Sequence, residues 1–510
     1  MNWTALAVFT LLFCFITWLG FMAARWRRGD LEQLHEWGLG GRRFGTVIAW
    51  FLIGGDLYTA YTFIAVPALA FGAGAVAFFA VPYTIMIYPI LFLVFPRIWN
   101  VSHKKGYVTA GDFVRGRFGN RWLALAITVT GLVATMPYIA LQLVGIQVVI
   151  AALGIPAHGW GDLPLFIAFA ILAAFTYTSG LRAPAAIAVV KDLLIYITAF
   201  AVIIVVPAQL GGFANIFAAV PEPKLLLTPP ADGTTGAYGA YITLAIGSAL
   251  ALFLYPHSLT GILSASSAHA IRRNAAILPF YSLMLGFLAL VGFMALAAGV
   301  HQMPEYADGF RDFKANYAVP ALFMHSFPDW FVGVAFAAIG IGALVPAAIM
   351  SIAAANLYAR NIHKEFIRPN CSPREESQVA KWVSLIVKFG ALVFIVLVPQ
   401  EYAIQMQLLG GIWMIQTVPT VIFGLYTRWF DDWALLIGWA AGIATGTWMA
   451  ASVKFTAIYP LSIAGFTLPG YSALYTVILN ITLTVLLTLL FRRLRKTTSP
   501  DETVPSDYRD

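Results

Sequence analysis

Charge is what this chain has least of. Asp, Glu, Lys and Arg make up 11% of its 510 residues, where a soluble globular domain carries about a quarter. With 60% hydrophobic residues and a mean hydropathy of +0.81, that scarcity excludes a soluble globule and leaves a polytopic membrane protein. Cysteine is nearly missing as well. Cys14 lies in the first apolar run and Cys371 in a charged loop, so no disulfide framework or cysteine metal site can form, and both read as free thiols. No apolar run contains a metal-spaced His/Asp set or a G-x-S-x-G element, which argues against an intramembrane enzyme. No basic region precedes the first run, MNWTALAVFTLLFCFITWLGFMAARWRR; its positive cluster follows it. That order is the reverse of a cleavable signal peptide and suits a first span that starts outside. No segment between runs is long enough for a separate soluble domain.

What is present is a series of apolar windows of about 20 residues, the length that crosses a bilayer. They fall near 3–24, 46–71, 75–96, 122–151, 163–180, 187–209, 238–262, 277–300, 330–357, 381–399, 404–426, 433–452 and 471–491, thirteen in all. With the start outside, the inner loops hold 26 of the 31 Lys and Arg, among them Arg182 to Lys191 and Arg492 to Lys496. Lys224, Arg311, Lys314 and Lys454 fall elsewhere, and Lys388 lies inside a run. The asymmetry places the carboxyl terminus in the cytoplasm of a plasma (inner) membrane. It also accounts for the net charge of +8 through membrane orientation, with no nucleic-acid partner expected. The chain divides into a single transmembrane domain over 1–496 and a polar tail over 497–510 that reads as disordered. Two outer loops, 210–237 and 301–329, have room for short helices.

The chain is organised around GGDLYTAYTFIAVPALAFGAG, residues 54–74. A Gly-Gly pair, Asp56 and the hydroxyls of Tyr58, Thr59, Tyr61 and Thr62 interrupt a run otherwise apolar enough to span a membrane. An acid inside a span is costly unless it faces protein or water. The group predicts a helix that unwinds locally and offers backbone carbonyls and side chains to a ligand. Five runs later, YITLAIGSALALFLYPHSLTG carries Gly247-Ser248 and then Pro256. Taken as a matched break, it predicts two five-helix repeats, roughly 46–209 and 238–426, the second inverted relative to the first.

Several segments resemble the sodium:solute symporter family. GGDLYTAYTFIAVPA resembles its first core helix, GYVTAGDFVRGRFGNRW (106–122) its loop after the third span, and SGLRAPAAIAVVKDLLIYI (179–197) its entry into the sixth. YPHSLTGILSASSAHAIRRNAA (255–276) resembles the motif closing its seventh span, and PAAIMSIAAANLYARNIHKEF (346–366) its cation-site helix. The matches occur in order over roughly 45–425, and PHSLTG with SIAAANLYARNI is most similar to the monocarboxylate permease branch. The resemblance implies an all-α polytopic membrane protein with the leucine-transporter-type 5+5 inverted repeat and about thirteen transmembrane helices. It also implies cation-coupled uptake of a small solute.

A sodium site implied by the family would use Gly55, Tyr58, Ala348 and Ser351, with Asp56 and Thr59 as further cation ligands. The family's two adjacent hydroxyls fall on Ser351 and Ile352, and the second is not a hydroxyl here. A hard cation loses a ligand by that change, so the coupling ion is left open between Na+ and H+, with Asp56 as the candidate proton carrier. Candidates to bind the solute are Tyr58, Thr62, Tyr138, Gln142, Ser248 and Gln416, with half-helix N–H groups receiving an anion. His257 is expected to cap or gate the end of its run. The implied partners are a small organic anion such as lactate, pyruvate or acetate, a coupling cation and the lipid bilayer, with no organic cofactor. An amino-acid symporter for alanine or proline, and a nutrient sensor of the same architecture, are the alternatives.

Overall fold

The apolar runs fold as helices, because in a medium without water each backbone N–H and C=O must be satisfied within its own segment. The computed structural model describes residues 1–26, 29–55, 57–155, 163–397, 403–494 and 500–509. Among these residues nine helices are long and apolar enough to cross a membrane, or ten when the bent pair Gly236–Leu252 and Pro256–Leu263 counts as one span. The Asp329–Tyr358 helix is the axis of the bundle. Its apolar stretch is almost wholly buried, whereas Trp3–Met22 and Ser472–Leu494 lie at the periphery. Small residues allow close approach. A methyl group on Gly333 would stand 2.6 Å from the Ala5 carbonyl of the first helix. Outward-facing Leu11, Trp18, Leu93 and Ile204 are more than half exposed, which is the surface a lipid-facing belt presents.

Polar residues fix the helix ends. Asn120 accepts from the N–H groups of Trp122 and Leu123 at 2.9 and 3.2 Å to start Arg121–Ala152. Its amide then donates to Asp432 at 2.7 Å, tying that start to the Asp432–Ser452 helix. Thr109 caps Ala110–Phe118, and Thr109 and Asp112 both bond Asn361, at 2.6 and 2.7 Å. The GYVTAGDF segment is thereby pinned to the far end of the central helix.

The run at 46–71 is interrupted where the glycine pair predicts. Thr46–Gly54 ends on Gly55, residues 57–59 are non-helical, and helix resumes through Tyr61–Ala65 and Val66–Ala73. Asp56 lies outside the described residues. The second break is displaced from its expected place. Gly236–Leu252 runs unbroken through Gly247-Ser248, and the interruption comes at Phe253–Tyr255, with Pro256 at the first position of the next half-helix and a bend of 48°. Proline restricts the residue before it and needs no N–H partner in a first turn. Gly247 serves a different purpose: a methyl there would meet the Tyr471 ring at 2.6 Å.

Two further features depart from expectation. The segment before the last helix is an antiparallel hairpin, Ile458–Ile463 paired with Phe466–Tyr471, so the chain is not purely α. Its two-residue turn, Ala464-Gly465, has φ of 51° and 81°, as a mirror-image hairpin turn requires. Residues 500–509, expected within a disordered tail, lie instead along the 97–121 and 423–428 segments. The Glu502 N–H donates to the Gly116 carbonyl at 2.8 Å, Arg117 pairs with Asp501 at 2.7 Å, and Lys104 donates to the carbonyls of Ser506 and Arg509. Arg117 is buried, while Asp501 is partly exposed. Asp501→Asn should therefore release the tail while lowering stability by no more than about 1–2 kcal/mol, since Arg117 keeps its bonds to the Gly424 and Thr427 carbonyls. Limited proteolysis after residue 496 should be faster in the variant than in the wild type. Equal rates would show that the ion pair does not hold the tail.

Candidate functional site

The break in the second run leaves carbonyls that no helix bond takes up. Those of Gly55 and Tyr58 accept from Lys191 Nζ at 2.6 and 2.9 Å. Lys191 was expected in a loop. It lies inside the Arg182–Gln209 helix and is fully buried, as is Asp192 beside it. Their charged atoms stand 2.9 Å apart, Lys191 Nζ to Asp192 Oδ1. The other carboxylate oxygen accepts from the Tyr281 hydroxyl at 2.6 Å. Tyr281 belongs to Pro279–Ala297, and its ring centroid is 4.4 Å from that of Tyr58, whose hydroxyl donates to the Tyr281 carbonyl at 3.1 Å. A buried charge is tolerable only when paired and hydrogen-bonded. Here the break, two helices and one ion pair form a single network.

On the other side of the break Gln142 takes the place of the missing helix bonds. Its Oε1 accepts from the Ala60 N–H at 3.1 Å, and its Nε2 faces Thr59 Oγ1 at 3.4 Å. Thr59 Oγ1 also accepts from the Tyr61 N–H at 3.0 Å, and Thr62 donates to the Leu57 carbonyl. Tyr138, one turn before Gln142, meets Tyr255 and His257 edge to face, with centroids 5.4 and 5.2 Å apart. Tyr255 is the last residue of the second break, and His257 lies in the first turn of the half-helix that follows it. Thus Tyr58, Thr59, Thr62, Tyr138 and Gln142, chosen from the sequence, do gather around the two interruptions. Sequence reasoning missed Lys191, Tyr281, Tyr255 and Gln407. The Tyr255 hydroxyl donates to the Gln407 carbonyl at 2.9 Å. Gln407 Oε1 and Ser248 Oγ are both buried without a hydrogen bond among the described residues. A glutamine inside the apolar IQMQLLGG run was the available signal.

Two expected residues are turned elsewhere. Gln416 donates to Thr476 at 2.8 Å, and its Oε1 accepts from Asn480 at 3.2 Å, so it joins its segment to the last helix. Ser351 donates to the Ala348 carbonyl at 2.8 Å and accepts from Ser384 at 3.2 Å. Lys388, also buried, donates to Ser384 at 3.1 Å. The oxygens expected to hold sodium are therefore engaged: the Gly55 and Tyr58 carbonyls with an ammonium group, those of Ala348 and Ser351 with one another. Ile352 is buried and supplies no oxygen. A hard cation needs about five or six oxygens at one point, and among the described residues this set is a poor fit for sodium, because an ammonium group already occupies the Gly55 and Tyr58 carbonyls and Ile352 brings no oxygen. Among the described residues no cluster of three His, Cys, Asp or Glu could hold a metal ion.

Comparison with known proteins agrees with this architecture. Over 493 residues the chain is 50% identical to a monocarboxylate transport permease protein of Rhizobium johnstonii, covering 96% of this chain and 97% of that one. It is 34% identical over 447 residues to the uncharacterized symporter YodF of Bacillus subtilis, covering 87% of each. Among solved structures, a Na+-coupled sialic acid symporter in a substrate-bound outward-open state superposes with a TM-score of 0.75 at 15% identity, covering 97% of this chain and 99% of the other. The two share a fold. The sodium:solute symporter family model matches residues 37–442, and the chain belongs to that family.

Proposed function

We propose that the protein is a secondary active transporter that takes up a short monocarboxylate, such as lactate, pyruvate or acetate, by alternating access. The observation that carries the substrate class is the 50% identity, over nearly the whole chain, to a protein named as a monocarboxylate permease. The core comprises two inverted five-helix repeats over 46–209 and 238–426, within thirteen spans. The amino terminus is outside and the carboxyl terminus cytoplasmic.

The solute sits between the two breaks. Tyr58, Thr62, Tyr138, Gln142 and Ser248 face it, and Gln407 replaces Gln416 in the set because its side-chain oxygen is buried with no partner among the described residues. The pair Lys191–Asp192 carries no net charge when both are ionised, so the carboxylate of the solute meets N–H groups of a half-helix start and hydroxyls. That arrangement suits a small, singly charged anion.

The test is uptake of radiolabelled lactate into proteoliposomes, with pyruvate, acetate, alanine and proline as unlabelled competitors. Pyruvate and acetate should each suppress lactate uptake, and proline should not. Accumulation of proline without competition by any monocarboxylate would overturn the substrate class. Saturable lactate binding without accumulation under any imposed gradient would point to a sensor.

A further inference from the structure

Carbonyls released by an interrupted membrane helix are where transporters bind small cations, and in this chain a cation of its own already sits there. We propose that the Lys191 ammonium is a tethered substitute for an alkali ion at the broken helix, so that the protein carries its solute without sodium at this position. The inference rests on the reading of the chain as a solute transporter with its site at that break.

Three observations carry it. First, the ammonium group donates to two backbone carbonyls and lies in ion-pair contact with a carboxylate, so three oxygens surround it. They are the Gly55 carbonyl at 2.6 Å, the Tyr58 carbonyl at 2.9 Å and Asp192 Oδ1 at 2.9 Å. An ion at the same carbonyls would compete for the same lone pairs and stand within a few ångströms of a like charge. Second, the charge is balanced from within. Asp192 is fully buried beside it and is itself held by the Tyr281 hydroxyl at 2.6 Å, so among the described residues the pair is neutral without an external cation. Third, the opposing helix offers a reduced set of oxygens. Ser351 donates to the Ala348 carbonyl and accepts from Ser384, and Ile352 has no oxygen to give.

Among the described residues Asp192 is the charged side chain in contact with Lys191, while Lys388, buried on the Pro373–Leu397 helix, is bonded to Ser384. Tyr58 approaches from the broken helix and Tyr281 from Pro279–Ala297, and both rings meet Tyr196, one turn beyond Asp192 on Arg182–Gln209. The flanking Trp3–Met22 and Leu163–Ser179 helices have no charged residue, and Asp329–Tyr358 has only Asp329, at its start. Lys191 thereby does two things at once: it satisfies the orphan carbonyls that a sodium ion would otherwise hold, and it fastens the break to the Arg182–Gln209 helix.

The test is thermal unfolding of the purified full-length protein in sodium, potassium and choline chloride at constant ionic strength, with no solute added. The wild type should melt within about 1 °C of the same temperature in all three salts, since a salt that binds no site shifts no midpoint. Lys191→Ala, which leaves two carbonyls and a carboxylate around an ammonium-sized space, should melt lower in choline. It should also gain a saturable rise of about 5 °C or more with sodium. A saturable sodium-specific rise in the wild type would overturn the proposal. So would a folded Lys191→Ala protein that melts alike in sodium and choline. Where the variant does not fold, the wild-type result decides alone. Lactate uptake missing from every salt would instead refute the transport reading and leave the melting result standing.

Discussion

Gly55→Val should reduce lactate uptake to the level of empty vesicles at unchanged protein density. A methyl group at residue 55 would stand 2.1 Å from the Phe51 carbonyl oxygen and 2.9 Å from Lys191 Nζ. The first contact is with backbone, which cannot swing aside, and the second pushes the ammonium off the carbonyl it bonds. A β-branched residue also resists the change of backbone direction that follows. Overpacking of this kind costs about 1–3 kcal/mol, too little by itself to unfold a domain of this size. The loss should therefore be of transport, with the protein still eluting as a single species on size exclusion. Uptake near the wild-type rate by a well-expressed Gly55→Val protein would show that the geometry of the break does not matter to function.

The second large effect concerns the ion pair. Lys191→Met should lower stability by about 3–5 kcal/mol, the usual cost of stranding one partner of a buried pair. It removes the only side-chain cation that contacts Asp192 among the described residues, and it orphans the Gly55 and Tyr58 carbonyls. Adding Asp192→Asn should recover part of that loss, because the amide can still accept from Tyr281 and no longer carries a buried charge. The check is a double-mutant cycle by thermal or denaturant unfolding. Losses that simply add would mean that the two groups act independently and that the 2.9 Å contact carries no coupling.

The first break was legible because three signals coincided within a few residues: Gly54-Gly55, an acid and a cluster of hydroxyls. The second was misplaced because Gly247-Ser248 imitates the first pair. Its glycine answers to the Tyr471 ring, 228 residues from Thr243, which accepts the Tyr471 N–H, a contact no local pattern could reveal. The true signal was Pro256, which starts a half-helix and constrains Tyr255 before it. Lys191 and Asp192 were hidden by position, since a Lys-Asp pair near the start of an apolar run looks like a loop end. Only the packing of Gly55, Tyr58 and Tyr281 around them makes them interior. Ser351 was expected to face a cation, but its hydrogen bonds run to the Ala348 carbonyl of its own helix and from Ser384, one helix away. The tail resembled disorder because its composition is polar, and the sequence does not disclose that Arg117 and Lys104 lie ready to receive it.

The claim at the centre of this account is that the solute binds against the unwound segment after Gly55. Hydrogen–deuterium exchange of the reconstituted protein, with and without saturating lactate, tests it most directly. Lactate should slow exchange of the amides from Leu57 to Thr62 and around Tyr255 to Ser258, while the 458–471 hairpin stays unchanged. Protection confined to other helices, with exchange at 57–62 indifferent to lactate, would contradict it.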